Sequence, residues 1–98
     1  MTSRTLRVRT PPRFFLHVVD VNGQALDGAA ITLSSKKRTH EGKTDLEGRW
    51  LLRAFEPGKY SLTVALLGFR EARVPGVVAE RGCINALLVP LELVDVTN

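Results

Sequence analysis

The sequence of 98 residues predicts an all-β domain, seven short strands arranged as a two-sheet sandwich. Three observations carry that expectation. No stretch of about eleven residues repeats apolar positions at three and four, so helical periodicity is missing. Apolar residues instead fall on alternate positions in runs of strand length. Turn-forming pairs such as Asn22-Gly23, Glu47-Gly48 and Pro57-Gly58 separate those runs.

The elements follow in order. Phe14, Leu16 and Val18 alternate with Phe15, His17 and Val19 in a first strand that ends at Asp20-Val21-Asn22-Gly23, where Asn-Gly accepts the positive backbone angles of a tight turn. Ala29, Ile31 and Leu33 mark a second strand. The polar run SSKKRTHEGK reads as an exposed loop leading into a short third strand. After Glu47-Gly48 a fourth strand sets Trp50 and Leu52 on one face and Leu51 and Arg53 on the other. After Pro57-Gly58 a fifth alternates Tyr60, Leu62 and Val64 with Ser61 and Thr63. Phe69 to Val74 is the sixth candidate and Ile84 to Leu93 the seventh. Pro75 and Pro90 lack a ladder donor and belong at an edge, a strand end or a bulge.

Length allows one core, aliphatic because the chain has one Trp, one Tyr and four Phe. No run of about 18 apolar residues exists to form a membrane-spanning helix. The formal charge is +4, and its excess sits in a leading arm: residues 1–13 carry Arg4, Arg7, Arg9 and Arg13 and no acid, whereas Phe14 to Asn98 is balanced at ten basic and ten acidic residues. The chain therefore divides into a basic arm, 1–13, and a sandwich domain, 14–98. The arm has no apolar core or cleavage site of a secretory signal, which implies a chain that is cytoplasmic at synthesis and reaches a surface only by another route or within an assembly. A single cysteine, Cys83, cannot form an internal disulfide.

The spacing Val18-x-Asp20-x-x-Gly23-x-x-Leu26-x-Gly28-Ala29-x-Ile31-x-Leu33, then Thr44-Asp45-x-x-Gly48-x-Trp50-x-Leu52, Pro57-Gly58-x-Tyr60-x-Leu62-x-Val64 and Gly68-Phe69, resembles the carboxypeptidase regulatory-like domain. The likeness covers about Leu16 to Leu91. It implies a transthyretin-like (prealbumin-like, Ig-like) Greek-key sandwich, with seven strands or, if the arm pairs, eight. It also implies an accessory role in folding or contact, in peptidases, receptors, adhesins or spike tips, rather than a reaction. On that fold Trp50, Tyr60 and Phe69 are expected between the sheets, and Gly28 is expected to let the second strand start close to its neighbour.

Chemistry-bearing residues are sparse. His17 and His40 stand twenty-three positions apart without ligands at zinc-like spacing, so no metal centre or other cofactor is expected. Asp20, Asp27 and Asp45 have turn roles that account for them without calcium. Enzymes that resemble this sandwich need groups missing here: the chain ends Val94-Asp95-Val96-Thr97-Asn98, without the Tyr-Arg-Gly-Ser ending of hydroxyisourate hydrolase, and Tyr60 is its only tyrosine, against two in intradiol dioxygenases. An isopeptide-forming pilin-type domain resembles it as well, but Asn85 has no lysine facing it from the first strand.

Two binding surfaces remain. If Phe14, Leu16 and Val18 face the core, Phe15 and Val19 point outward, and the last strand sets Ile84, Ala86 and Leu88 against Leu87, Val89 and Leu91. Both faces of the terminal strands are thus apolar, where a water-covered sandwich is polar. The covering element is either the arm, whose Leu6 and Val8 alternate with Arg7 and Arg9, or a protein partner or second copy. Partner contact is assigned to Arg4, Arg7, Arg9, Phe15, Val19 and Leu88. The alternative surface is the basic run Lys36, Lys37, Arg38 and Lys43, suited to a carbohydrate or other anion. It has no neighbouring aromatics for base stacking, so nucleic acid is disfavoured.

Overall fold

The pleat of the first strand divides its side chains between the interior and the surface. In the computed structural model, which describes residues 13–53, 55–82 and 84–94, β1 (Arg13–Asp20) buries Phe14, Leu16 and Val18 completely and leaves Phe15 exposed. It is followed by β2 (Ala30–Ser34), β3 (Thr39–Lys43), β4 (Arg49–Leu52), β5 (Gly58–Ala65), β6 (Ala72–Ala79) and β7 (Ile84–Leu91). No helix occurs among the described residues. A three-stranded sheet has the order β4-β1-β7 and a four-stranded sheet the order β3-β2-β5-β6. β1 is central, antiparallel to β4 and parallel to β7, with Arg13 opposite Ile84 and Asp20 opposite Leu91.

Between the sheets lies an aliphatic core. Leu16, Val18, Ile31, Leu33, Leu62, Val64 and Leu91 are at most 1% exposed, and each large apolar side chain taken from water stabilises the fold by about 1.5–3 kcal/mol. Trp50 stands edge-on to Phe14 at 6.1 Å and reaches across to β3, where a β-carbon on Gly42 would collide with its indole. Tyr60 packs at right angles to Phe55, 5.4 Å between centroids, and its hydroxyl donates to the Glu56 carbonyl at 2.6 Å. Burial raises the Tyr60 pKa above its ordinary value.

The sheets are joined through Thr44, the one buried polar side chain among the described residues. Its hydroxyl donates to the Leu26 carbonyl at 2.7 Å and accepts from the Ala29 amide at 2.9 Å. The Thr44 amide and carbonyl bond Ala29 and Gly28. One residue thereby ties the β3–β4 crossing to the β1–β2 crossing.

Several elements depart from the sequence-based expectation. The polar run is not one loop: only Ser35–Arg38 turns, with the Ser35 hydroxyl accepting from the Lys37 and Arg38 amides, and β3 begins at Thr39. The sixth strand starts at Ala72 rather than Phe69, because Leu66–Phe69 forms a turn and Phe69 makes only an isolated bridge to Leu93. It then runs on through Pro75-Gly76 as a bulge, two residues facing Ser61 alone, on the edge of its sheet where a missing donor is tolerated. Pro90 also lies in an edge strand, β7. The seventh strand stops at Leu91, and Phe69 is only partly buried. Gly28 serves its positive φ of 78° and not close approach, since a β-carbon there would meet nothing within 4 Å. The arm through Pro12, and with it the suggested eighth strand, lies outside the described residues, as does Cys83.

Gly23 and Gly48 share a positive φ, 87° and 74°, but only Gly48 lies tight against its surroundings, where a β-carbon would strike the backbone oxygen of Val18. Gly23→Ala therefore carries the conformational cost alone, about 1 kcal/mol, and Gly48→Ala at least about 2 kcal/mol more. Urea denaturation of the two variants is expected to separate them by that margin; equal midpoints would show that the Gly48 turn is free to shift.

Candidate functional site

The exposed face of the three-stranded sheet is built by parity. With Phe14 and Leu16 turned inward, Phe15 pairs laterally with Leu51 on β4 and Ala86 on β7, and His17 with Arg49 and Leu88. Exposure is 39% for Phe15, 44% for Leu51, 62% for Ile84 and 63% for Leu88. A shallow groove runs over Phe15, His17, Arg49, Ala86 and Leu88. The outward positions of these strands are Arg13, Phe15 and His17, Arg49 and Leu51, and Ile84, Ala86, Leu88 and Pro90, an apolar centre with cations at its margin and no acid among them. A sheet face open to water ordinarily carries polar side chains at such positions.

The structure keeps Phe15 and Leu88 of the assigned partner residues on this face and corrects Val19. Parity places Val19 beside Phe15 and His17, yet it is 5% exposed. The chain returns through Gln24–Leu26 along the end of β1, so Val19 has Ala25 on one side and Pro90 on the other. A non-local crossing hides it, which alternation cannot reveal. Arg4, Arg7 and Arg9 lie outside the described residues. Leu51 and Ile84 complete the face; both stood at outward positions by alternation, and only the strand order showed that they adjoin Phe15 and Leu88.

The basic surface is rearranged as well. Lys36, Lys37 and Arg38 share the β2–β3 turn, but Lys43 lies at the far end of β3, four residues or about 13 Å away. Arg38 is paired with Glu56 at 3.7 Å. Lys59, which the linear sequence did not single out, joins Lys36 and Lys37 around a cavity of about 430 Å3 between Ser35–Lys37 and Glu56–Tyr60. The register of β2 against β5, with Ser34 opposite Ser61, brings them together.

Among the described residues, chemistry-bearing groups do not converge. His17 faces outward on the three-stranded sheet; His40 lies in β3, not in a loop, against Phe55 and Tyr60, with its Nε2 buried and unpartnered among the described residues. No group of three His, Cys, Asp or Glu side chains positioned for a metal occurs among the described residues. Asn85 lies opposite Phe14 and donates to the Arg13 carbonyl at 3.5 Å; β1 carries no lysine. Asp20 and Asp45 are turn builders. The Asp20 carboxylate accepts from the Asn22 and Gln24 amides, and that of Asp45 from the Glu47 and Arg49 amides at 2.9 and 3.0 Å.

Two sheets with a parallel β1–β7 pair and an aliphatic interior define a transthyretin-like β-sandwich. The carboxypeptidase regulatory-like domain profile matches residues 16–92, and the chain belongs to that family. Comparison with curated proteins gives no significant match. Among solved structures the fold is similar to the Bacillus anthracis TIE protein (TM-score 0.72, 18% identity, 87% of this chain and 17% of that one). It is similar also to GBS52, the minor pilin of Streptococcus agalactiae (TM-score 0.68, 16% identity, 91% and 47%). Hydroxyquinol 1,2-dioxygenase from Pseudomonas putida DLL-E4 shares it too (TM-score 0.67, 8% identity, 90% and 58%). This chain spans less than two thirds of each, and identities this low establish the shared fold alone.

The bonds from the Arg49 and Glu47 amides hold the Asp45 carboxyl below its ordinary pKa. A depressed folded-state pKa contributes stability that is present above the unfolded value and is lost as pH falls through the folded one. Asp45→Asn, which keeps the turn but cannot titrate, is therefore expected to be less stable than the parent at neutral pH, with the gap closing as pH falls below the ordinary carboxylate range. Denaturant midpoints across that range measure it; a gap independent of pH would contradict the assignment.

Proposed function

We propose that the protein is a non-catalytic interaction module, an accessory or structural subunit that joins a larger surface or injection-type assembly through the apolar outer face of its three-stranded sheet. The observation that carries this reading is the side-by-side exposure of Phe15, Leu51, Ile84 and Leu88 in a fold whose outer faces normally meet water. The pilin likeness supports the setting by analogy alone. Non-catalytic use agrees with an interior of aliphatic side chains and with acids engaged in turns and ion pairs.

A second reading rests on the cavity beside Lys36, Lys37 and Lys59. Cations converging on an open concavity suit a sulfated or carboxylated glycan. Titration calorimetry with a sulfated oligosaccharide is expected to show binding weakened by Lys37→Glu; absence of heat for the parent chain removes this reading.

Phe15→Asp tests the first. The side chain is already 39% exposed, so the change costs the fold about 1–2 kcal/mol, while a charge at the centre of the face lowers partner affinity about tenfold or more. Recovery of partners from extracts of the native source, with parent and variant as bait and circular dichroism as the folding control, checks it. Equal recovery by both would place the interface elsewhere.

A further inference from the structure

One end of the sandwich carries an aliphatic side chain on each of its loops. Val21 in the β1–β2 crossing is 65% exposed, Leu46 in the β3–β4 turn 81%, Leu67 in the β5–β6 turn 98% and Leu93 after β7 66%. Turn tips ordinarily carry Gly, Asn, Asp or Ser, which suit the backbone and water together. Those at the opposite end do carry polar groups: Lys36, Lys37, Glu56, Glu80 and Arg81.

Three of these tips adjoin, and the fourth, Leu46, stands at the same end of the sandwich on the β3–β4 side. The Val94 amide donates to the Gly68 carbonyl at 2.9 Å, which sets Leu93 beside the Leu67 turn, and the Arg70 amide donates to the Glu92 carbonyl at 2.8 Å. Val21 borders Arg70, Pro90 and Glu92. The Gly48 carbonyl accepts from the Val18 amide at 2.7 Å and draws the Leu46 turn against the end of β1. The fringe is acidic: Asp20, Asp27, Asp45, Glu47, Glu71 and Glu92 stand against Lys43, Arg70, Arg73 and Arg49, the last of which also borders the sheet face. Arg49 is paired with Glu47 at 3.2 Å, Arg70 with Glu92 at 3.9 Å and Arg73 with Glu71 at 3.6 Å.

An apolar crown with an acidic fringe is the complement of an apolar sheet face with a cationic margin. We propose that the aliphatic crown of Val21, Leu46, Leu67 and Leu93 on one copy seats on the Phe15–Leu51–Leu88 face of another, acids of the crown against Arg13 at the margin of the face. This rests on the reading of the sheet face as a docking surface and names its occupant. Charge separates that occupant from its competitors. Two identical faces packed together bring cations against cations, and the arm ahead of β1 has Arg4, Arg7 and Arg9 and no acid, the same sign as the margin it would cover. An anionic membrane is repelled by the acids of the crown. Within one copy the crown lies at an end and the face on a side, so the contact is made between copies. It is heterologous, one crown and one face on each copy, and it extends into a chain or closes into a ring.

The heterologous form has a consequence that a symmetric dimer lacks. Phe15→Asp spoils the face and leaves the crown; Leu67→Asp, at a site almost wholly in water, spoils the crown and leaves the face. Sedimentation of the purified full-length protein over a concentration series is expected to show species larger than dimers for the parent and association reduced about tenfold or more for each variant alone. An equal mixture of the two is expected to recover dimers and nothing larger. Leu88→Asp and Leu46→Asp repeat the test at independent positions, with circular dichroism confirming that each variant folds. A parent that stays monomeric at every concentration, a Leu67→Asp variant that assembles like the parent, or a mixture that stays monomeric overturns the contact. If the parent is monomeric while Phe15→Asp still loses its partners in extracts, the crown is excluded and the docking face stands.

Discussion

The pleat of β1 is the constraint on which the rest depends. A strand with hydrogen-bonded neighbours on both edges can reverse no single side chain without slipping its whole register, and β1 is held by β4 on one edge and β7 on the other. Phe14, Leu16 and Val18 are thereby committed to the interior, and the same commitment forces Phe15 and His17 out. Core and exposed apolar face are the two sides of one pleat. A slip of one residue would bury His17 and expose Leu16, at a cost of about 1.5–3 kcal/mol for each large apolar side chain moved into water.

Holding the two sheets in relation to one another falls to a smaller set of groups. Thr44 satisfies a carbonyl and an amide from the β1–β2 crossing with a single buried hydroxyl, and buried polar groups left unpaired cost about 1–3 kcal/mol each. Gly48 gives up its side chain so that β4 can start against the backbone of Val18. Trp50 closes the open side by lying over Gly42. The position of Leu51 beside Phe15 follows from these contacts, because β4 starts where the Gly48 turn sets it. The face is thus assembled from residues far apart in sequence, and only the topology makes them neighbours.

That distinction marks what was legible. Alternation and turn chemistry are local, so the strand count, the inward set of β1 and β5, the outward position of Phe15 and Leu88 and the turn role of Asp45 could be read directly. Non-local pairing could not. Val19 reads as outward by alternation, yet its neighbours there are Ala25, which folds back beside it six residues on, and Pro90 from the last strand. Lys43 looked like a companion of Lys36 because the two are seven residues apart, and a strand intervenes to separate them. Lys59 went unnoticed for the converse reason, a sheet register that brings it to Lys36. The aliphatic tips had a faint local signal in Val21, Leu46 and Leu67, each next to a glycine or acid in a turn, whereas Leu93 follows β7 in a bridge to Phe69, and only the topology sets all four at one end of the sandwich.

The central claim is that the outer face of the three-stranded sheet, and not the opposite sheet, meets a protein in the working assembly. A photoreactive amino acid placed at position 15, compared with the same group at Val78 on β6, which is 48% exposed on the other sheet, tests it most directly in the native source. Discrete protein adducts are expected from position 15 and none from position 78. Adducts at position 78 alone, or a chain that cross-links to nothing from position 15, would contradict it.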